Sequence, residues 1–576
     1  MRAESAKVAS VTLSRWLASV KASHLFMFLL IGSLAFYIVY PLVLILLNSF
    51  NVAAIGRPPT YGLQAWRDAF SDPGLWESLW NTIKVAVASN ALVFPLGALI
   101  AWILARTNIP FANGFEFLFW ITFMLPSLAV TFGWLLLLDP YSGLINIWLK
   151  KIPFFAGATL DIYSFWGIVW VHCVSGIDAV VILLTPTLRR MDASFEEASE
   201  VAGASTVGTM LRITLPMMTP ALVVVFLLRL IRSLESFETE LLLGVPWGFY
   251  VYSTKIVDLG RQEPPLLNQA AALASIILVF LAVVVPTQQG LIRAREFTTV
   301  TGRFKPKLIA LGWWKYPVLT SMCLVIVVAM VFPILSVLGG SFMVRFGFFD
   351  LAQAWTLEHW RVALTDARFI LALKNTLIVA GSAALVGVML FSLVGYVLVR
   401  TKLPGRSILD AICWIPSAIP GVLAGLGLLW LFLGTPIFQP VYGTLFVIMI
   451  ASIMGGITIS TQIIKANFIQ LGKELEEASW TCGAGFWKTY FKVVFPLMAQ
   501  TLVLIAVLKF VFAARNTASI ILLATSETRT LGLLALDQIA SGYPEIASTT
   551  TLLVVLLSTG VALVARFFGL RLGISN

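Results

Sequence analysis

The stretch EASEVAGASTVGTMLRITLP, residues 197–216, decides the architecture because the chain contains it twice. The second copy, EASWTCGAGFWKTYFKVVFP, spans residues 477–496, and Glu, Ala, Ser, Gly and Pro recur between the copies at one offset. Each copy lies between apolar segments long enough to span a bilayer. Two matches in the same setting indicate an internal repeat.

The residue types of this stretch predict a short helix, a tight bend and a second helix start. Glu197 and Ala198 favour a helix, Gly203 interrupts it, and Pro216 suits the beginning of another. Small residues on the first helix would let a partner protein approach closely. The alternative, an amphipathic helix on the bilayer surface, leaves the duplication unexplained. The second copy has the same residues at the matching positions, Glu477, Ala478, Gly483 and Pro496.

The composition predicts an integral membrane protein. Of the 576 residues 59% are hydrophobic and 12% are charged, which leaves room for about twelve spans of ~20 residues. The net charge of +11 is spread over short loops beside apolar spans, so it indicates topology rather than nucleic-acid binding. The scattered cysteines and histidines predict neither a disulfide framework nor a metal site.

Further matches extend the repeat over nearly the whole chain. YPLVLILLNSF (40–50) corresponds to FPILSVLGGSF (332–342). Matching residues are 294 positions apart in the block 81–133, before residues 139–163, and 280 positions apart from the duplicated stretch onward. The first half is therefore expected to have extra residues, in an outer loop around 139–163. Five further residues recur 294 positions later: Asn81, Arg106, Trp120, Pro126 and Gly133 correspond to Asn375, Arg400, Trp414, Pro420 and Gly427. Pro126, Pro420 and Gly133 suit either kinks or close helix packing, and packing is favoured.

The predicted fold is an all-α integral membrane protein of about twelve transmembrane helices, arranged as two parallel six-helix repeats. The first half is expected at 1–290, a basic cytoplasmic linker at 291–314, and the second half at 315–576. Basic residues beside the spans place both termini and both duplicated stretches in the cytoplasm. The spans of the first half are expected near 24–49, 81–104, 115–138, 164–185, 216–243 and 268–285.

The duplicated pattern resembles the cytoplasmic EAA loop of the membrane subunits of binding-protein-dependent ABC importers. That resemblance implies a type I importer permease fold, in which each loop is a coupling helix that enters a groove of an ATPase subunit. The residues implied for ATPase coupling are Glu197, Ala198, Gly203, Pro216, Glu477, Ala478, Gly483 and Pro496.

The sequence lacks the parts that would let it drive transport alone. No G-x4-G-K-[ST] phosphate loop occurs, since GAGFWKT (483–489) lacks the second glycine beside the lysine. No stretch outside the spans is long enough for a solute-binding domain. The chain is therefore expected to be no enzyme, with no catalytic residues, no metal and no cofactor of its own. The resemblance implies two copies of an ABC ATPase that use ATP and one periplasmic solute-binding protein, assembled at the bacterial inner membrane.

Charged residues in the fifth span and its repeat are the candidate pathway or gate residues. Ionisable groups at membrane depth cost about 2.5–3.5 kcal/mol each, so they normally face a bundle interior, a cavity or a partner. Local ion pairing is the structural alternative, because Arg232, Glu235 and Glu238 would share one face of a continuous helix. A Glu235–Arg515 pair between the halves is a third possibility. The candidates are Arg229, Arg232, Glu235, Glu238, Lys509, Arg515 and Asn516.

Fused double permeases with a segment like SLESFETELLLG (233–244) resemble the ferric-iron importer group, whose relatives handle thiamine, phosphonates and polyamines. Ferric iron is thus the leading substrate. The acidic cluster suits a cation and the basic residues suit an anion, so charge alone leaves the solute open. A twelve-span carrier driven by an ion gradient is the main alternative class, followed by a channel or a membrane scaffold, and these leave the duplicated loop unexplained.

Overall fold

The structure is a computed structural model that describes residues 2–53, 58–155, 157–189, 191, 194–294, 308–349 and 351–567. In these ranges the chain is mainly helical, and extended backbone forms only isolated bridges such as Asn51–Tyr61. The helices of the first half are α1 (Arg2–Asn48), α2 (Gln64–Ser71), α3 (Pro73–Arg106), α4 (Ala112–Met124), α5 (Ser127–Leu138), α6 (Leu144–Lys150), α7 (Phe165–Val174), α8 (Ile177–Arg189), α9 (Ser194–Val201), α10 (Thr206–Thr209), α11 (Leu215–Leu234), α12 (Glu238–Leu243), α13 (Tyr252–Arg261) and α14 (Leu267–Ala294).

The second half repeats this order of helices. Its helices are α15 (Lys315–Ile326), α16 (Phe332–Phe342), α17 (Glu358–Thr365), α18 (Ala367–Arg400), α19 (Arg406–Trp414), α20 (Gly421–Gly434), α21 (Leu445–Met454), α22 (Ile457–Gln470), α23 (Glu474–Thr481), α24 (Phe486–Thr489), α25 (Phe495–Leu497), α26 (Ala499–Ala514), α27 (Leu531–Ala540) and α28 (Pro544–Phe567).

The described residues contain the predicted set of spans. Seven helices are long and apolar enough to cross a membrane, and four bent helix pairs raise the number to eleven. Leu267–Val283 of α14 is a shorter apolar helix at the place of the sixth predicted span. Counting it gives twelve spans, six in each half.

Two of the bends explain why prolines recur in the third span of each half. The chain turns by 94° between α4 and α5, at Pro126, and by 113° between α19 and α20, at Pro420. Proline has no backbone N–H and disfavours helical backbone in the residue before it, so each helix stops short of it. The prolines thus mark helix breaks, and the preference for a packing role was wrong for them.

Gly133 and Gly427, by contrast, permit close packing between the halves. A Cβ atom added at Gly133 would lie 2.5 Å from the carbonyl oxygen of Pro333, and one added at Gly427 would lie 2.9 Å from that of Pro41. The first span of each half therefore packs tightly against the third span of the other half. This exchange joins the two repeats into one bundle.

The extra outer residues of the first half form an ordered loop around α6. The Asn146 side chain is buried and donates to the carbonyl oxygens of Asp139 (3.0 Å) and Leu160 (2.8 Å), and it accepts from the Leu160 N–H (2.9 Å). Nearby, burial and the charges of Asp139 and Asp161 raise the pKa of Tyr163 to about 12, so this phenol is neutral at physiological pH. The Asn146 hydrogen bonds thus hold the two ends of this loop together.

Most of the predicted basic linker lies outside the described residues, which resume at residue 308. Where the chain resumes, the Ile309 N–H donates to the Arg106 carbonyl oxygen (2.8 Å), and the Asn108 N–H donates to the Ile309 carbonyl oxygen (3.1 Å). The start of the second half is thereby attached to the end of α3, beside the first duplicated stretch.

Candidate functional site

Both duplicated stretches fold into the same helix, turn and helix. α9 and α23 each end at a glycine in the left-handed region, with φ of 86° at Gly203 and 77° at Gly483. The N–H three residues beyond the end of each helix donates to a carbonyl in its last turn, Ala204 to Ser199 (3.0 Å) and Ala484 to Ser479 (3.1 Å). This is the geometry of a glycine-terminated helix, and a side chain at either glycine would strain it.

A pair of hydroxyl groups closes each turn in the same way. Ser199 and Thr209 lie 2.9 Å apart, and so do Ser479 and Thr489. The angle between the first helix and the following span is therefore fixed alike in both halves.

The prediction that a helix starts at Pro216 is wrong, and so is its counterpart at Pro496. Helical backbone already begins at Thr206 and at Phe486. A proline inside a helix removes a backbone donor and clashes with a carbonyl of the preceding turn, and a wider π turn relieves that clash. Three π turns each end two residues before a proline: Met210–Thr214 before Pro216, Val327–Val331 before Pro333, and Tyr490–Val494 before Pro496.

The residues implied for ATPase coupling lie on the exposed side of the loops. Glu197, Ala198 and Gly203 are exposed, as are Pro216 and the four matching residues of the second loop. Each loop thus presents an exposed face that carries small and acidic residues together with apolar side chains such as Val201 and Trp480.

The glutamate that precedes each of these faces is instead buried and tied to the second span. Glu196 Oε1 lies 3.7 Å from Arg106 Nη2, and Thr214 donates to the same oxygen (2.9 Å). Arg106 also donates to the Met191 carbonyl oxygen (2.9 Å). These contacts couple α9 directly to the end of α3.

The second half repeats this anchor with one substitution. Arg400 Nε lies 2.9 Å from Glu476 Oε1, and Arg400 donates to the Leu471 carbonyl oxygen (2.8 Å), which matches Met191. The hydroxyl on the glutamate comes here from Tyr396 (3.0 Å). We call Arg106–Glu196 and Arg400–Glu476 the loop anchors. Sequence reasoning missed them as pairs, although both arginines and both glutamates recur between the halves.

A second type of ion pair also recurs in both halves, between the third and fourth spans. Glu116 lies 2.8 Å from Arg189, and Asp410, at the matching position, lies 2.7 Å from Lys465. Lys465 corresponds to a position four residues before Arg189, which is about one helical turn. Both halves thus have an acidic residue at the same position of the third span. Its basic partner in the fourth span lies one helical turn earlier in the second half.

Arg229 and Lys509 hold matching breaks in the fourth span of each half. Arg229 donates to the His172 carbonyl oxygen (3.2 Å) at the end of α7. Lys509 is buried and donates to the carbonyl oxygens of Ser452 (3.2 Å), Ile453 (3.0 Å) and Gly455 at the end of α21. Helix C-termini leave carbonyls without partners and attract cations, so in this conformation both side chains act as caps.

The fifth span is shorter than predicted. α11 ends at Leu234 and α12 begins at Glu238, so the prediction of one helix to Leu243 was wrong. Ser253 donates to the Ser236 carbonyl oxygen (2.6 Å), and the Ser236 side chain donates to Glu240. The hydrogen bond from Ser253 thus satisfies a carbonyl at the break that has no helical partner.

Because of that break, Glu238 does not share a helix face with Arg232 and Glu235. Arg232 and Glu235 form an ion pair at 3.3 Å, in which the Arg232 side chain is 66% exposed. An exposed arginine at this depth is far less costly beside water than beside lipid, which supports an aqueous space next to the end of α11. The Glu235–Arg515 pair is not formed in this conformation.

Arg515 instead joins the second half to the first. Its Nη1 donates to the carbonyl oxygens of Phe123 and Leu125, both at 3.0 Å, at the break between α4 and α5. Two residues further on, Thr517 donates to one oxygen of the Glu238 carboxylate, and Ser127 donates to the other. We call Ser127, Glu238, Arg515 and Thr517 the cross-half clasp. Asn516 lies between its members but bonds within its own turn, to Ser519 (2.6 Å).

A buried polar cluster beside the first-half break was also missed. His172 Nε2 lies 2.7 Å from Glu240 Oε1, and Ser236 donates to the other Glu240 oxygen at 2.5 Å. The two partners are 68 residues apart in the chain, so no local spacing pattern could have paired them.

These features define a class: a polytopic helical membrane protein of two fused homologous halves, each presenting one anchored loop. Residues 94–298 and 387–573 match the family described as "Binding-protein-dependent transport system inner membrane component". The chain belongs to this family, with one copy of the family domain in each half, and is a multi-pass inner-membrane protein.

Several curated proteins are similar to this chain. A putative ferric transport system permease protein of Haemophilus influenzae is 29% identical over 385 residues, which cover 64% of this chain and 58% of that protein. The ferric transport system permease protein of Actinobacillus pleuropneumoniae is 28% identical and is matched over 66% of this chain and 55% of its own length. The chain thus spans little more than half the length of these two relatives.

A shorter relative and a solved structure are also similar. The sulfate transport system permease protein of Escherichia coli is 30% identical over 184 residues, covering 30% of this chain and 66% of that protein. The crystal structure of a bacterial ABC transporter involved in alginate import has a TM-score of 0.41 and 20% sequence identity, with coverage of 49% of this chain and 100% of that chain.

Proposed function

We propose that this chain is the transmembrane permease of an ATP-driven ABC importer and that it carries ferric iron delivered by a periplasmic binding protein. The observation that supports this most is the duplicated loop, whose exposed face is available to a partner while a buried Arg–Glu anchor ties it to the second span. A force applied to either loop would reach the bundle through that anchor.

In this mechanism two copies of an ABC ATPase bind the loops, one copy at each half, from the cytoplasm, where both termini also lie. ATP closes the ATPase dimer and draws α9 and α23 together. The two halves then rock against each other, since each first span packs against the third span of the other half. The chain transmits the motion, and hydrolysis takes place on the ATPase subunits.

Ferric iron is proposed because two of the similar proteins are named as ferric transport permeases. Thiamine, phosphonates and polyamines are the alternatives within the same class. Sulfate enters the comparison because a relative is named as a sulfate permease. A carrier driven by an ion gradient is less well supported, because it has no use for two anchored loops.

Uptake of labelled ferric iron by iron-starved cells tests the proposal, with a strain that lacks this chain and a strain whose partner ATPase is inactive. We expect uptake to be lost in both strains. Uptake that persists without the chain would overturn iron as the solute. Uptake that needs the chain but not the ATPase would overturn the ATP-driven class.

A further inference from the structure

The polar contact between the halves has an unusual centre, the carboxylate of Glu238. Glu238 is the first residue of α12, directly after the break in the fifth span, and its side chain is half-buried. Its two oxygens accept from one hydroxyl of each half, Ser127 of the first and Thr517 of the second. The carboxylate can therefore accept both hydrogen bonds only while the two halves are in contact.

The two charged residues of the clasp, Arg515 and Glu238, form their hydrogen bonds with different groups. Arg515 attracts Glu238, but the hydrogen bonds of its Nη1 go to the carbonyl oxygens of Phe123 and Leu125. The hydrogen bonds to Glu238 come from neutral hydroxyls, which exchange readily for other ligands. If the halves part at Thr517, Glu238 loses a ligand on the side where the second half has moved away.

The fold itself does not need a carboxylate at this position. In the second half the residues that correspond to Ser127 and Glu238 are Gly421 and Ala518. There a Cβ added at Gly421 would lie 3.1 Å from that of Ala518, and one added at Gly425 would lie 2.6 Å from the Ser519 carbonyl oxygen. The start of α20 in the second half thus packs directly against the chain at Ala518 and Ser519. The contacting glycine, alanine and serine residues are uncharged.

We propose that Glu238 is the contact residue for a cationic solute and that its bond to Thr517 closes the passage between the halves until they separate. The inference rests on the proposed transport function. The oxygen ligands left on the first half would be the Glu238 carboxylate and the Ser127 hydroxyl, which are hard oxygen donors of the type that hard cations prefer. Ser127 is exposed, so this set of oxygens borders open space rather than the packed core.

Uptake measurements test the solute contact. The full chain, its ATPase and its binding protein are placed in proteoliposomes, and ATP-driven uptake of labelled ferric iron is compared with that of sulfate. Glu238→Gln keeps the size of the side chain and removes the charge, and we expect it to lower iron uptake by about tenfold. The matched control is Glu358→Gln, the same substitution at an exposed ion pair with Arg361 outside the clasp, which should retain most of the uptake.

Three outcomes would overturn the solute contact: Glu238→Gln transporting iron as well as the native chain, Glu358→Gln losing as much, or a native preference for sulfate that Glu238→Gln leaves unchanged. A thermal unfolding curve in detergent accompanies each variant. Equal unfolding temperatures show that a loss of uptake is not a loss of fold.

Cross-linking tests the gate without relying on transport. Cysteines replace Glu238 and Thr517 in a chain whose four native cysteines have been substituted, and a protease site is inserted in the linker. We expect a short bifunctional thiol reagent, which spans the gap left by the shortened Glu238 side chain, to join the halves in the resting chain, and ATP with vanadate to suppress the link when the ATPase is bound. If no link forms, the clasp is overturned even if iron uptake depends on ATP. If the link forms although the native chain shows no ATP-dependent uptake, the clasp stands and the proposed function fails.

Discussion

The two halves match closely at the duplicated loops and differ in charge at the cross-half clasp. The loop anchors Arg106–Glu196 and Arg400–Glu476 match residue for residue, down to the carbonyl that each arginine binds. At the clasp, by contrast, Glu238 faces Thr517, whereas its counterpart in the repeat is an alanine. Under the proposed function, this comparison means that two equal inputs would drive one asymmetric passage.

Removal of an anchor arginine should have the largest effect. Arg106→Ala and Arg400→Ala each leave a buried glutamate without its cation, which costs about 3–5 kcal/mol. If the halves are equivalent here, the two variants lower the free energy of unfolding by similar amounts. Denaturant unfolding in detergent measures this.

The control for these variants is Arg361→Ala, since Arg361 pairs with Glu358 on the surface with both side chains exposed. It should change stability by less than about 1 kcal/mol. An anchor variant no less stable than this control would contradict the role of that anchor.

The hydroxyl on each anchor glutamate is the next test, because the two halves supply it from different places. Tyr396→Phe removes the hydroxyl from Glu476, and Thr214→Val removes it from Glu196. A hydrogen bond to a charged group contributes about 1.5–3 kcal/mol, so each variant should be less destabilising than loss of the arginine. If Tyr396→Phe unfolds like the native chain while Thr214→Val does not, the two anchors are not equivalent.

Each first span packs against a glycine in the third span of the other half, and substitution of these glycines compares the two contacts. Gly133→Ala places a Cβ closer to Pro333 than Gly427→Ala places one to Pro41. Overpacking of this type costs about 1–3 kcal/mol, and Gly133→Ala should have the greater effect on the thermal unfolding temperature. Gly381→Ala is the control, since an added Cβ there meets nothing within 4 Å. Destabilisation by Gly381→Ala as large as that by Gly133→Ala would refute the packing explanation.

The exposed glutamates should have the smallest effect on stability. Glu197→Ala and Glu477→Ala remove side chains that lie at the surface, so the free energy of unfolding should change by no more than about 0.5 kcal/mol. Equilibrium unfolding in detergent checks this. A large loss of stability in either variant would mean that the residue supports the fold rather than a partner.

Hydropathy and the internal repeat were enough to predict the number of spans, the two halves and the helix, turn and helix of each loop, whereas the roles given to Pro126, Pro216, Pro420 and Pro496 were wrong. The beginning of the second span was missed because PGLWESLWN (73–81) is only moderately apolar, although Asp72 accepts from the Gly74 N–H and so caps α3 directly before Pro73.

The partners of the charged residues could not be predicted from spacing. Arg515 reaches Phe123 from 392 positions away, and Arg106 meets Glu196 from a different span. Such contacts depend on how the helices pack. The only sequence signal for the anchors was the recurrence of the same arginine and glutamate in both halves, and the clasp is absent from the repeat altogether.

The central claim, that two equivalent loops each bind one ATPase subunit, is tested most directly by the amount of ATPase that purifies with the chain. Ala198→Trp and Ala478→Trp place a bulky side chain on the exposed face of each loop without straining the backbone. We expect two ATPase subunits per native chain, one for either single variant and none for the double variant. Two subunits retained on the double variant would contradict the claim.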